Sequence, residues 1–264
     1  MKKLCFSTIG SPDWTFKDIV STAKDLGYEG IEVRSISNEI YAPKMKEFNK
    51  DLNKTIDLLN ESKLKIAMLS SDVSFANHQD TTALKRAEEY LKLADKLNVP
   101  FIRVMSTNKP YYDGGDYDLC LKQYKEIVNQ ANDTNVKVLM ETNGIFVDTL
   151  KLTTFLDEVK GNSGALWDTH HPYRFNDEQI SQSIKNLGSK IKYVHLKDSV
   201  ITKGKVMYKI FGSGDMPIRN IVSLLRENNY DGYYTLEWVQ LWDDTLEEAG
   251  IVFAQYAQFM NRLP

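Results

Sequence analysis

Cysteine is scarce in this chain: Cys5 and Cys120 are the only two in 264 residues. They lie far apart and in no metal-type spacing, which excludes a disulfide framework and a thiolate zinc site and fits a reducing compartment. Long apolar runs are missing as well. No stretch approaches the length of about 20 residues that spans a bilayer. The opening run at 4–9 is broken by Ser7 and Thr8, too short for a secretory core segment. The expectation is therefore a cytoplasmic protein with no membrane partner. Charge of one sign is missing too. With 33 Lys+Arg against 36 Asp+Glu the net charge is −3, which leaves no basic footprint for nucleic acid. Histidine is the fourth scarcity. There are only His78, His170, His171 and His195, and two of them stand together in "GALWDTHHPYRF" (164–175).

What is present is ordinary globular material, 42% hydrophobic and 26% charged, in a length that suits one large α/β domain. Short runs rich in Val, Ile and Phe alternate with amphipathic stretches. Strands are predicted at 4–9, 28–34, 65–71, 100–106, 136–142, 164–168, 191–198 and 232–238. Helices are predicted between them. The first places Phe16, Ile19, Val20, Ala23 and Leu26 at helical spacing and stops at Gly27. The second covers about 44–62 with Leu52, Ile56 and Leu59 as its stripe. The third carries Leu84, Ala87, Leu91 and Ala94 on one face. The sixth runs over 176–188 with Asn176 as its cap. The seventh has Pro217 in its first turn, and the last begins near 245. Eight strand–helix units in about 250 residues imply a single-domain α/β fold, a closed (β/α)8 TIM barrel over 1–264, ahead of an open doubly wound sheet. One insertion stands out, 199–215 after the seventh strand, with the alternation and Lys-Gly turn of a small hairpin.

In such a barrel the active site lies at the C-terminal ends of the strands. Strand two ends in Glu32 and Arg34, and strand four contains Arg103. Strand five ends in Glu141, strand six in Asp168. Strand seven carries His195, then Lys197 and Asp198, and strand eight ends in Glu237. Carboxylates are poor strand formers, and pointing them into a barrel mouth is costly unless a cation neutralises them. Glu141, Asp168, His195 and Glu237 together therefore ask for one divalent metal ion. An O3N donor set suits Mn2+ first, with Mg2+, Co2+ or Zn2+ as alternatives, and leaves positions for substrate oxygens.

These segments resemble the xylose isomerase-like TIM barrels, the sugar phosphate isomerase/epimerase group, over essentially the whole chain. The carriers are "YEGIEVR", "METNG", "WDTHH", "HLKD", "FGSGDMP" and "LEW", in that order. The resemblance implies that Glu141, Asp168, His195 and Glu237 bind the metal, that Glu141 and Glu237 are the catalytic acid/base pair, and that His171, three residues after Asp168, binds substrate. It implies an isomerase or epimerase of a small keto sugar or polyol derivative. A proton next to a carbonyl would be moved through an enediolate whose charge the ion spreads. A dehydratase of the inosose type or a non-catalytic sugar-binding barrel is the alternative. The related endonuclease IV group needs further histidines that "VMSTN" and "GSGDMP" do not supply. Asn143 also departs from the family, which often has histidine there.

Arg103 is expected to hold substrate oxygens beside His171. Glu32 is a substrate contact, a support behind a ligand, or an exposed strand end. Lys197 shares a strand face with His195 and is either a substrate cation or a solvated lysine. His78 reads as a loop or cap histidine, Trp14 as packing on the first helix and Trp238 as packing under the last. Gly212 and Gly214 form a turn before the seventh helix, where a phosphate would be the sharper reading. The expected partner is a small sugar, with homo-oligomerisation open.

Overall fold

The computed structural model describes residues 2–263. Strands and helices alternate as β1 (Lys3–Ser7), α1 (Phe16–Asp25), β2 (Gly30–Val33), α2 (Leu52–Ser62), β3 (Lys65–Ser74), α3 (Ala83–Lys96), β4 (Phe101–Met105), α4 (Tyr117–Ala131), β5 (Lys137–Glu141) and α5 (Thr149–Asp157). They continue as β6 (Ser163–Asp168), α6 (His170–Phe175), α7 (Ile180–Leu187), β7 (Ile191–Leu196), β8 (Asp198–Thr202), β9 (Lys205–Lys209), α8 (Ile218–Glu227), β10 (Tyr233–Leu236) and α9 (Ala249–Arg262). Eight strands close into a barrel in the order β1-β10-β7-β6-β5-β4-β3-β2, the expected (β/α)8 architecture, and β8 pairs with β9 alone. Among the described residues no helix is long and apolar enough to cross a membrane.

Backbone contacts group the chain into two units. The first comprises the residues up to Ala67, His195–Arg219, and the residues from Tyr233 onward. Here β1 pairs in parallel with β10 (Cys5↔Thr235) and with β2 (Ser7↔Glu32). Leu4, Phe6, Ile31, Val33 and Leu236 are buried, as strands covered on both faces require. α1 is opened by a capping box. The Thr15 hydroxyl accepts from the Asp18 amide, and the Asp18 carboxylate accepts from the Thr15 amide. Its Phe16, Ile19, Val20 and Ala23 are buried, each large one contributing about 1.5–3 kcal/mol relative to exposure. α9 covers the same arc. Phe253 stacks on Phe6 at 4.0 Å, and the Tyr256 hydroxyl donates to the Tyr234 carbonyl. Trp14 packs edge-on against Phe253 of the last helix.

The second unit comprises Met68–Val194 and Asn220–Gly232. β4, β5 and β6 run in parallel register (Arg103↔Leu139, Glu141↔Leu166). β3 runs longer than predicted because its pairing to β4 shifts between Ser70 and Ser74, a bulge. α4 and α5 pack through Tyr124, Phe146 and Phe155, with ring centroids 4.4 Å apart for the last pair.

Two local expectations fail. The segment predicted as a helix over 44–62 begins with two 3-10 turns and becomes α2 only at Leu52. Phe48 and Met45 of those turns fill the core, while Ile56 is 42% exposed and Leu52 and Leu59 are half-buried. Asn176 does not cap the sixth predicted helix. It ends the short α6, and α7 starts at Ile180 after Gln179.

Candidate metal centre

In the first unit, β2 delivers Glu32, β7 delivers His195, and Lys197 and Glu237 follow directly on β7 and β10. Glu32 and His195 are fully buried, with Glu32 Oε2 2.7 Å from His195 Nε2. An ionised carboxylate only accepts, so Nε2 carries the proton and Nδ1 is the basic nitrogen. Nδ1 faces Glu237 Oε1 at 3.4 Å. This is the arrangement in which a carboxylate fixes the tautomer of a metal-ligating imidazole. Glu32 Oε1 is buried with no hydrogen-bond partner. Lys197 is also buried, and its Nζ lies 2.5 Å from Glu237 Oε2. An isolated buried charge costs several kcal/mol, so the pairing is what permits both to be there. The Glu237 amide donates to Leu196 O, and Trp238 Nε1 donates to Glu247 O just before α9, which fixes the end of β10.

In the second unit, Arg103 stands on β4 with its Nε and Nη2 donating to the Ser71 carbonyl, which the β3 bulge turns toward it. Ser71 Oγ in turn donates to Arg103 O. So held, Nη1 donates to Glu141 Oε2 at 3.2 Å. Asp168 ends β6, completely buried. Its Oδ1 accepts from the amides of His170 and His171, opening α6, and the Thr142 hydroxyl bridges the Asp168 amide and carbonyl. His171 stands between two carboxylates, Nε2 3.5 Å from Asp168 Oδ2 and Nδ1 3.8 Å from Glu141 Oε1. His170 is more deeply buried than His171.

Glu141 and Asp168 in the second unit, and His195 and Glu237 in the first, are all buried. Among the described residues, Asp168, His170 and His171 of the second unit each offer a ligand atom within 4.8 Å of the others. Three buried carboxylates with one imidazole match a hard divalent cation in donor type and number. They leave a net negative charge that such an ion offsets.

The remaining sequence candidates fall elsewhere. His78 is an exposed loop histidine paired with Asp116, 2.7 Å away. Gly212 and Gly214 do form a turn, but its amides are taken by the protein's own carboxylate. Gly212 N and Gly214 N donate to Asp198 Oδ2, and Ser199 N and Met216 N donate to Oδ1. A Cβ on Gly214 would sit 2.1 Å from Asp198 Oδ1, so only glycine fits. Sequence reasoning missed the roles of Asp198, Thr142 and the Ser71 carbonyl. Asp198 was in view as part of "HLKD". The other two act through partners that no local pattern reveals.

No curated protein sequence matches the chain at a significant level. Solved structures do match in fold. A probable 3-DHS dehydratase AsbF from Bacillus anthracis superposes with a TM-score of 0.79 at 19% identity, covering 100% of both chains. A xylose isomerase-like TIM barrel protein from Mycobacterium smegmatis, in complex with magnesium, gives 0.78 at 13% identity over 100% of this chain and 96% of that one. A D-psicose 3-epimerase studied with D-fructose gives 0.76 at 16% identity over 98% of each. The sequence profile described as xylose isomerase-like TIM barrel matches residues 20–253, and the chain belongs to that family.

Proposed function

We propose that the protein is a divalent-metal-dependent isomerase or epimerase of a small keto sugar or polyol derivative. The observation that carries the reading is that two glutamates, Glu141 and Glu237, are each buried at the C-terminal end of a barrel strand, and each has its own buried cation, Arg103 and Lys197. Glu141, Asp168, His195 and Glu237 would hold the ion, with Mn2+ or Mg2+ favoured by the oxygen-rich donors. When bound, the ion supplies Lewis-acid stabilisation of negative charge developing on substrate oxygens.

The chain's own groups do the rest. One glutamate carboxylate takes the proton from the carbon next to the substrate carbonyl. The other glutamate returns a proton from the opposite face, which inverts that carbon. Return to the neighbouring carbon isomerises instead. His171 holds a substrate oxygen from its place beside Asp168 and Glu141. Arg103 and Lys197, anchored on Glu141 and Glu237, keep the two carboxylates in position beside the substrate. Glu32 serves as the support behind His195. The two cysteines are buried free thiols, in keeping with a reducing, cytoplasmic setting.

The test combines metal content with exchange. Purified protein should contain about one equivalent of divalent ion per chain, lose activity on chelation and regain it on reloading. A panel of ketoses in deuterated buffer should include one that gains deuterium next to its carbonyl. Absence of metal and of rescue sinks the site. Bound metal with a dehydrated product, and no wash-in to recovered sugar, selects a lyase instead.

A further inference from the structure

β3 turns polar at its C-terminal end, where Ser70, Ser71, Asp72 and Ser74 follow the apolar run Ile66–Leu69. Its pairing to β4 shifts at the same place. Ser70 opposes Arg103 and Ser74 opposes Met105, so Ser71, Asp72 and Val73 arch over Val104 alone. Pairing resumes beyond, where the Phe75 amide donates to Met105 O and the Ala76 amide to Ser106 O. The arch is costly: the Ser70 and Ser74 hydroxyls are buried with no hydrogen-bond partner, and a buried polar group left unmet destabilises the fold. Bulges of this kind re-aim a group beside a functional site. Here the group is the Ser71 carbonyl, which accepts from Arg103 Nε at 3.2 Å and Nη2 at 2.8 Å. Nη1 is thereby directed at Glu141 Oε2, 3.2 Å away. The arch sets where Arg103 stands, and Arg103 sets where the Glu141 carboxylate stands.

Arg86 on α3 holds the arch from outside. Its Nη1 lies 2.9 Å from Asp72 Oδ1, and its Nη2 donates to Asp80 Oδ2. Asp80 is itself fixed in the turn before α3, where its Oδ1 accepts from the Thr82 amide and hydroxyl. An isolated exposed ion pair contributes little. Here one planar guanidinium spans two carboxylates, its side chain is only 23% exposed, and one of the two acids is the residue next to Ser71. A regular helix thus fixes an irregular strand segment whose carbonyl positions Arg103. All of these residues lie in the second unit.

We infer that Arg86 is a positioning residue for Glu141, acting through Asp72, the Ser71 carbonyl and Arg103. The inference rests on the proposed role of Glu141 in proton transfer. In that role a misplaced carboxylate slows the proton transfer and leaves substrate binding intact, so loss of Arg86 falls on kcat and not on KM.

The test follows the Arg103 Nε–H proton by NMR in protein labelled with 15N-arginine, together with deuterium wash-in kinetics at saturating divalent ion. In the wild-type protein this proton should exchange slowly, held on the Ser71 carbonyl. Arg86→Gln should speed its exchange about 10-fold or more. The same variant should lower kcat about 10-fold or more with KM within about two-fold. Asp72→Asn should do the same, and the double variant should be no worse than Arg86→Gln alone, as a shared path requires. Arg86→Lys, which can reach only one carboxylate, should recover part of both losses. Lys85→Gln, at the exposed neighbouring position, should change neither. A purely structural ion pair would lower the melting temperature and leave the Arg103 proton and the ratio of kcat to KM unmoved. That result overturns the inference, as does a freed proton with unchanged kcat, or additive losses in the double variant. The proton measurement needs no substrate. A wild-type protein that exchanges no sugar therefore counts against the proposed reaction alone, and the Arg103 proton still decides whether Arg86 holds the arch.

Discussion

Glu32 Oε2 lies 2.7 Å from His195 Nε2, and neither side chain is exposed to solvent. That relationship decides which imidazole nitrogen faces Glu237, and so whether His195 can complete a metal site. Replacing Glu32 with alanine leaves the ring free to turn and to change tautomer. Metal affinity should fall about 10–100-fold, the usual cost of losing such a partner. Glu32→Gln, whose amide oxygen still accepts from Nε2, should lose less. Competition titration with a chromophoric chelator reads both. Equal affinity in all three proteins would remove Glu32 from the site.

The adjacent histidines should separate by function. His171 lies near both Asp168 and Glu141, whereas His170 is wholly buried. His171→Asn should lower kcat/KM for deuterium exchange about 10–1,000-fold, the range for losing a positioned polar contact in the transition state, with little change in melting temperature. His170→Asn should act chiefly on stability, by about 1–3 kcal/mol, because it disturbs buried polar groups. The reverse ranking in exchange assays would exclude the assigned role of His171.

The barrel was legible in the sequence because most of its elements follow one period each. The α1 residues at helical spacing are the ones that are buried, and each strand is an apolar run. Legibility failed where helix pattern and burial part company. Leu52, Ile56 and Leu59 have helical spacing, but the core beneath that region is filled by Phe48 and Met45 from preceding 3-10 turns. α6 was invisible for another reason. It has only six residues, and its opening amides are held by Asp168, a carboxylate already claimed as a strand-end ligand. The placement of Glu141, Asp168, His195 and Glu237 in or just after barrel strands was readable. The pairings were not: strand alternation puts Lys197 on the face of His195 but cannot say that its ammonium rests on Glu237.

Asp116 gives the clearest pH signature. It caps α4 by accepting from the Leu119 amide, and its second oxygen meets His78. These contacts, the amide first and His78 next, hold its carboxyl below the ordinary value. A lowered folded-state value contributes stability that is present above the unfolded pKa of about 3.9 and is lost as pH falls through the folded one. Asp116→Asn should therefore melt lower than wild type at neutral pH, and the gap should narrow below about pH 4. Thermal melts from pH 7 to pH 3 measure this, and a gap that widens on acidification contradicts the cap.

Asp198 is the internal anion of the loop before α8. Its two oxygens accept from four backbone amides, those of Ser199, Gly212, Gly214 and Met216. In the absence of this carboxylate the four donors would be left around a vacated pocket, each costing free energy if it stays buried and unmet. Asp198→Ala should destabilise by about 2–4 kcal/mol. The loss should appear first as faster amide exchange in the β8–β9 hairpin, which the carboxylate ties to the 210–217 loop. Formate or phosphate added at millimolar concentration should raise the melting temperature of the alanine variant and leave the wild-type protein unchanged, because only the variant has amides to offer an anion. Equal response of both proteins would mean that Asp198 does not occupy an anion site. A phosphate dependence of the wild-type melt would further mean that the loop opens to external anions, and would reinstate a phosphorylated sugar as the substrate to test first.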